Sequence, residues 1–152
     1  MTTETYVYAI VGVYCKDVRL SVTKTRERGC DHLEGCTPFC PICGKPTWVE
    51  QKIEHHASDK LEHLQEWHGD EETGEFDESA ISMIYSQMCG PIEFVVGRVL
   101  ENMDSGDCNP TTFNTLSGEE YTAAYEQTKS ALEPLGLWDP TKFGYMLYAI
   151  SM

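Results

Sequence analysis

Between Arg28 and Pro46, four of the chain's seven cysteines and one of its five histidines stand within nineteen residues: Cys30, His32, Cys36, Cys40 and Cys43. Thiolates and imidazoles are the donors that a borderline-soft ion such as zinc takes, and a structural zinc site uses four of them in a tetrahedron. Cys40-Pro41-Ile42-Cys43-Gly44-Lys45 has the form of a zinc knuckle. Two thiolates three positions apart grip one ion, while the turn between them aims backbone N–H groups at the sulfurs. Proline fixes the backbone inside the turn, and glycine after the second cysteine lets the chain reverse. Cys30 and His32 form a second short clamp upstream. The preferred ligand set is therefore Cys30, His32, Cys40 and Cys43. A set containing Cys36 stays open, because a Cys30–Cys36 pairing with the knuckle gives an all-cysteine site.

The chain of 152 residues suits one domain over residues 1–152 and is long enough to bury a core. Its 41% hydrophobic and 11% aromatic content implies a folded protein. No run of eighteen apolar residues occurs, so no membrane span is expected. Met1-Thr2-Thr3-Glu4-Thr5 lacks the basic and apolar regions of a secretory signal. The expected location is a reducing cytoplasm, where clustered cysteines hold metal rather than pair as disulfides. Cys15, Cys89 and Cys108 then read as free thiols, since none has a local base to make it nucleophilic.

The net charge of −14 is unevenly spread. Residues 1–52 carry seven Lys/Arg and six Asp/Glu, residues 54–78 carry ten acidic residues and one lysine, and residues 79–152 carry nine acidic and three basic. A field this negative argues against direct DNA or RNA binding, which sets cations against phosphate. It suits a basic protein partner drawn in by long-range attraction.

The elements that must hold the metal stretch follow from the flanking sequence. Tyr6 to Tyr14 is rich in β-formers and apolar on both faces, which predicts a central strand. Arg19 to Thr23 predicts a second strand, in a hairpin with the first. Thr47 to Ile53 predicts a third, in a hairpin that closes over the metal, with Phe39 and Trp48 expected to shield the site from water. Asp59 reads as the N-cap of a helix carrying Leu61, Leu64 and Trp67 or His68, with Glu62 completing a capping box. His55, His56, His63 and His68 lack the i, i+4 spacing that points two imidazoles at one ion, so they predict no second metal site. Gly69 to Glu78 is an acidic loop without EF-hand spacing. Ser79 to Met88 fits helix or strand. Ile92 to Leu100 predicts a strand in which Gly97 marks a bulge or a close backbone approach. Ser117-Gly118-Glu119-Glu120 is a capping box opening a helix striped by Tyr121, Ala124, Tyr125, Thr128, Ala131 and Leu132, ended by Pro134 and Gly136. Lys142 to Met152 predicts a last, buried strand. The fold class is α+β: mainly antiparallel sheet, one or two helices, and a zinc-knuckle loop at 28–48 near the N-terminus.

Gly29-Cys30-x-His32, a short loop, then Phe39-Cys40-Pro41-x-Cys43-Gly44-Lys45-Pro46 resembles a knuckle of small uncharacterised bacteriophage proteins. The likeness covers residues 28–48, and is weaker over the flanking strands and Leu135-Gly136-Leu137-Trp138-Asp139-Pro140-Thr141-Lys142-Phe143. It implies a small zinc-bearing α+β protein of phage origin and no particular activity; Cys36 departs from the pattern. Cys36-x3-Cys40-x2-Cys43 also has the spacing of the iron–sulfur loop of radical enzymes that use S-adenosylmethionine, but 152 residues are too few for their barrel.

The expected function is therefore protein–protein interaction, directed at a host or defence factor through the acidic surface, with zinc as a structural cofactor and location in the host cytoplasm if phage-encoded. A structural, oligomer-forming virion-associated protein is the alternative, with the oligomeric state left open. An enzyme ranks lower, since no nucleophile elbow, phosphate loop or zincin motif is present. A nucleic-acid-binding zinc ribbon would have to use Arg26, Arg28, Lys45 and Lys52.

Overall fold

The computed structural model describes residues 5–32, 37–64, 80–86, 88, 90–104 and 115–151. Its elements run β1 (Thr5–Lys16), β2 (Arg19–Arg28), β3 (Trp48–His56), α1 (Ala57–Lys60), β4 (Ser82–Ile84), β5 (Glu93–Asp104), α2 (Gly118–Leu132) and β6 (Gly144–Ser151). The class is α+β, mostly strand, and every strand pair is antiparallel. The chain divides into two compact units: Arg19–His56, and the remainder formed by Met1–Val18 with Ala57–Met152. No described helix is long and apolar enough to cross a membrane.

The larger unit is built on a four-stranded sheet in the order β4-β5-β1-β6. β1 is central, and Tyr8 to Val13 are buried without a break. A strand covered on both faces reads as a continuous apolar run, which is what Tyr6–Tyr14 supplies. Its alternate residues feed two clusters. Val13 and Cys15 pack with Met83, Phe94, Val96, Leu61 and the helical Leu132; Tyr8 and Ile10 pack with Ile84, Val95 and Ile150. Gly12 stands opposite Gly97 of β5 and opposite Gly144 of β6. A Cβ on Gly12 would run into the Val96 carbonyl, and one on Gly97 into the Val11 carbonyl. Gly97 thus marks a close backbone approach, while the register shift in this pair lies elsewhere, at Ala9/Ile10.

α2 forms as its sequence dictates. The Ser117 hydroxyl accepts from Glu120 N, and the Glu120 carboxylate accepts from Ser117 N, closing the capping box. Ala124, Thr128 and Leu132 are its buried stripe. Beside that stripe Tyr121 and Tyr125 set their rings edge-on to Phe143, and Tyr125 edge-on to Trp138. Gly136, at φ 71°, ends the following 3₁₀ turn in the left-handed region.

Three expected elements are corrected. The hairpin between β1 and β2 does not form; β1 pairs with β5 and β6, and β2 with β3. β1 is apolar on both faces and needs apolar neighbours, whereas β2 (Arg-Leu-Ser-Val-Thr-Lys-Thr-Arg-Glu-Arg) offers mostly charged and hydroxyl side chains. The helix expected to start at Asp59 starts at Ala57 and ends at Lys60, followed by a 3₁₀ turn at Glu62–Leu64. Its first turn is held by Asp17, whose carboxylate accepts from Ser58 N at 2.9 Å and Ser58 Oγ at 2.8 Å. The last strand, expected to be buried, is an edge strand in which only Ile150 is fully buried, while Leu147 is 63% exposed. The Ser79–Met88 ambiguity resolves to strand at β4. Trp67, His68, the acidic loop Gly69–Glu78, Cys36, Cys89 and Cys108 lie outside the described residues.

The smaller unit is a two-stranded ribbon. β2 and β3 run in register from Thr23↔Ile53 to Arg28↔Trp48. Only Thr25, His55 and His56 are half-buried, and the other strand residues are exposed. A two-stranded hairpin by itself is marginal in water, so a cross-link in the loop that joins its strands would add to its order.

Candidate metal centre

That loop runs from Gly29 to Thr47. It is closed at its base where Gly29 N donates to Thr47 O at 3.0 Å. The closure is tight: a Cβ on Gly29 would collide with the Pro46 carbonyl, so only glycine fits there. Thr47 N donates to Pro38 O, and the buried Thr47 hydroxyl donates to Thr37 O at 2.6 Å. Within the knuckle, Phe39 and Pro46 form an isolated bridge, Cys40 N donates to Lys45 O at 2.8 Å, and Gly44 N donates to Cys40 O at 2.9 Å. Gly44 takes φ 71°, the reversal that a side chain would strain. On the upstream arm, the Arg28 guanidinium donates to His32 O at 3.0 Å.

These turns bring one donor atom from each of Cys30, His32, Cys40 and Cys43 within 4.8 Å of one another. The group could hold a metal ion, and it is the preferred ligand set of the sequence reading. Among the described residues no other group of three or more His, Cys, Asp or Glu side chains converges in this way. Cys40 is buried, Cys30 half-buried, and His32 and Cys43 exposed.

The electrostatics suit a thiolate centre. The Cys40 thiol is lowered to about 6, first by the backbone N–H of Cys43, then by that of Ile42 and by the thiols of Cys30 and Cys43. Hydrogen bonds from N–H groups favour the charged form. Cys30 also meets a backbone N–H, from His32, which lowers it; the Cys40 and Cys43 sulfurs and desolvation outweigh this, and its thiol is raised. The Cys40 thiolate thus forms before that of Cys30, and a bound cation would favour loss of the remaining thiol protons.

Phe39 and Trp48, expected to shield this centre, are themselves 59% and 48% exposed. Trp48 lies across from Arg28 in the ribbon register and has the guanidinium carbons of both Arg26 and Arg28 at 5.8 Å from its ring centroid. Sequence reasoning missed this cluster. The period-2 spacing of Arg26 and Arg28 signals one shared strand face, but the partner strand's register is needed to place Trp48 beside them. His55 and His56 serve other contacts. His55 Nε2 is 2.8 Å from Thr23 Oγ1, and His56 Nε2 is 3.4 Å from Glu54, which also pairs with Arg19 at 3.0 Å.

Comparison of the chain with protein-family models, with curated proteins and with solved structures returns no match.

Proposed function

We propose that this is a zinc protein of bacteriophage type that works by binding rather than by catalysis, with the ion in a structural role. The observation that carries the reading is the convergence of three thiols and one imidazole, within 4.8 Å of one another, in a loop joining an exposed two-stranded ribbon. Three sulfurs and one nitrogen are a complete tetrahedral set for zinc, and such a set leaves no open position of the kind a catalytic zinc keeps. Bound there, zinc would cross-link the two arms of the loop and so fix the ribbon's register. The partner is a basic protein, because a chain of net charge −14 attracts basic surfaces, and the resemblance of residues 28–48 to phage proteins points to one from the host or its defences.

Two measurements test this. Metal analysis of protein purified without added metal should return one zinc per chain, and Cys40→Ser should abolish it; zinc retained in that variant would sink the ligand assignment. A pull-down from host lysate at low and moderate salt should capture a basic protein in a salt-sensitive way. Capture of none at either salt would end the interaction reading.

One observation favours the structural, oligomer-forming alternative. β6 is an eight-residue edge strand, Gly-Tyr-Met-Leu-Tyr-Ala-Ile-Ser, without charge or proline, and Tyr145 and Leu147 are exposed on it. Natural edges usually carry such blocking residues. Sedimentation at micromolar concentration separates the readings, since a clean monomer excludes self-assembly through this edge.

A further inference from the structure

One face of the ribbon carries an arrangement that its own fold does not explain. Alternate residues of β2 put Lys24, Arg26 and Arg28 on the same face, and the register sets them opposite Lys52, Glu50 and Trp48. Lys24 and Lys52 are therefore direct cross-strand neighbours of like charge, a pairing that destabilises a hairpin. Lys24 reaches Glu50 only at 3.9 Å, with both side chains more than half exposed. Among the described residues Arg26 and Lys52 make no ion pair. Beside these cations lies Trp48, half exposed, with two guanidinium groups over its ring. The ribbon unit holds six of the chain's eleven Lys/Arg and only five of its twenty-five Asp/Glu, so it is net positive while the whole chain is at −14.

We propose that this face binds single-stranded nucleic acid, with a base stacked on the Trp48–arginine platform and backbone phosphates against Lys24, Arg26, Arg28 and Lys52. The chemistry is specific to that ligand. Cations at strand spacing match a phosphate chain, and an exposed aromatic ring with flanking guanidinium planes is the surface on which unpaired bases stack. An acidic protein segment would satisfy the lysines and leave the indole unused. A duplex hides its bases and would use only the charges. The whole-chain charge, which argues against nucleic acid, is screened over about 8 Å at physiological salt, so the ribbon acts through its local balance. Arg28 also donates to His32 O, which joins this face to the metal loop.

The test is fluorescence anisotropy with the full chain, zinc-loaded, and a labelled oligothymidine. Four phosphate contacts give a salt slope of about −3, so raising salt from about 50 to about 200 mM should weaken binding about 50-fold. Trp48→Ala should weaken it about tenfold at constant salt, and Trp48→Phe should restore most of the loss. Arg26→Ala with Lys52→Ala should flatten the slope by about 1.4. Zinc content and melting temperature, measured on each variant, confirm that the ribbon is intact. No binding at about 50 mM salt overturns the proposal. So does binding that ignores Trp48, binding that is tighter for duplex, or equal retention of a poly-glutamate peptide. None of these outcomes bears on zinc content, so the metal assignment stands or falls separately.

Discussion

On the proposed zinc assignment, removing the ion should unfold the loop and the ribbon while leaving the larger unit folded. Ordering the fifteen described residues of Gly29–Thr47 costs about 1 kcal/mol each at the low end, or about 15 kcal/mol. Against this the loop's described residues make four backbone hydrogen bonds and one from the buried Thr47 hydroxyl, about 1 kcal/mol each, while the exposed Thr37 hydroxyl bond to Phe39 O adds little. Among its described residues the loop buries Cys40 and Thr47, which adds at most about 4 kcal/mol. The balance is about 6 kcal/mol against order, and zinc at about 10 kcal/mol or more reverses it. The holo loop is then stable by at least about 4 kcal/mol, which is about a thousandfold protection against opening. Hydrogen exchange reads this directly. The amides of Gly29, Cys40, Gly44 and Thr47 should lose about three orders of magnitude of protection on chelation. Amides of β1 and β5 should keep theirs, because both clusters around them belong to the other unit. Unchanged protection in the loop, with zinc demonstrably gone, would refute the reasoning. Parallel loss across β1 would show that the two units unfold together.

Burial pushes the Cys15 thiol up to about 11, with Lys142 opposing weakly. At pH 8 its thiolate fraction falls about a hundredfold below that of an ordinary thiol, so alkylation should leave the Cys15 peptide unlabelled until pH is raised toward 11, as peptide mass spectrometry will read. Gly12→Ala should cost about 3 kcal/mol through collision with the Val96 carbonyl, whereas Gly118→Ala, with open space around it, should gain about 0.5 kcal/mol; denaturant midpoints compare them. Ser117→Ala should cost about 1 kcal/mol by opening the capping box, a fall in melting temperature of about 3 °C.

The convergence of Cys30, His32, Cys40 and Cys43 was legible because its information is local. Cys40-x2-Cys43 and Cys30-x-His32 are short clamps whose geometry is set by a few bonds, and Gly44 and Pro41 state the turn between them. The capping box at Ser117 was legible for the same reason. Strand pairing was not, because it is decided at long range. Tyr6–Tyr14 announces a strand buried on both faces, but its partners, β5 and β6, lie beyond residue 90. The turn at Asp17 suggests a hairpin with the neighbouring strand. Instead, Asp17 N donates to Ile92 O and its carboxylate holds Ser58. The surroundings of Trp48 are not local either, since the strand register sets Arg28 across from it and Arg26 beside its ring.

Val18 O accepts from Ala57 N at 2.9 Å, so the ribbon leaves and rejoins the larger unit at two residues already hydrogen-bonded to each other. The interruption spans residues 19–56, yet it opens no gap in its host. A segment whose ends meet is a cassette: it can be gained, lost or exchanged in evolution without disturbing the strands on either side. Replacing Arg19–His56 by a two-residue turn should therefore yield a soluble, zinc-free protein with the β1–β5 pairing intact. The same junction offers a place to graft other ribbons onto a host already built to carry one.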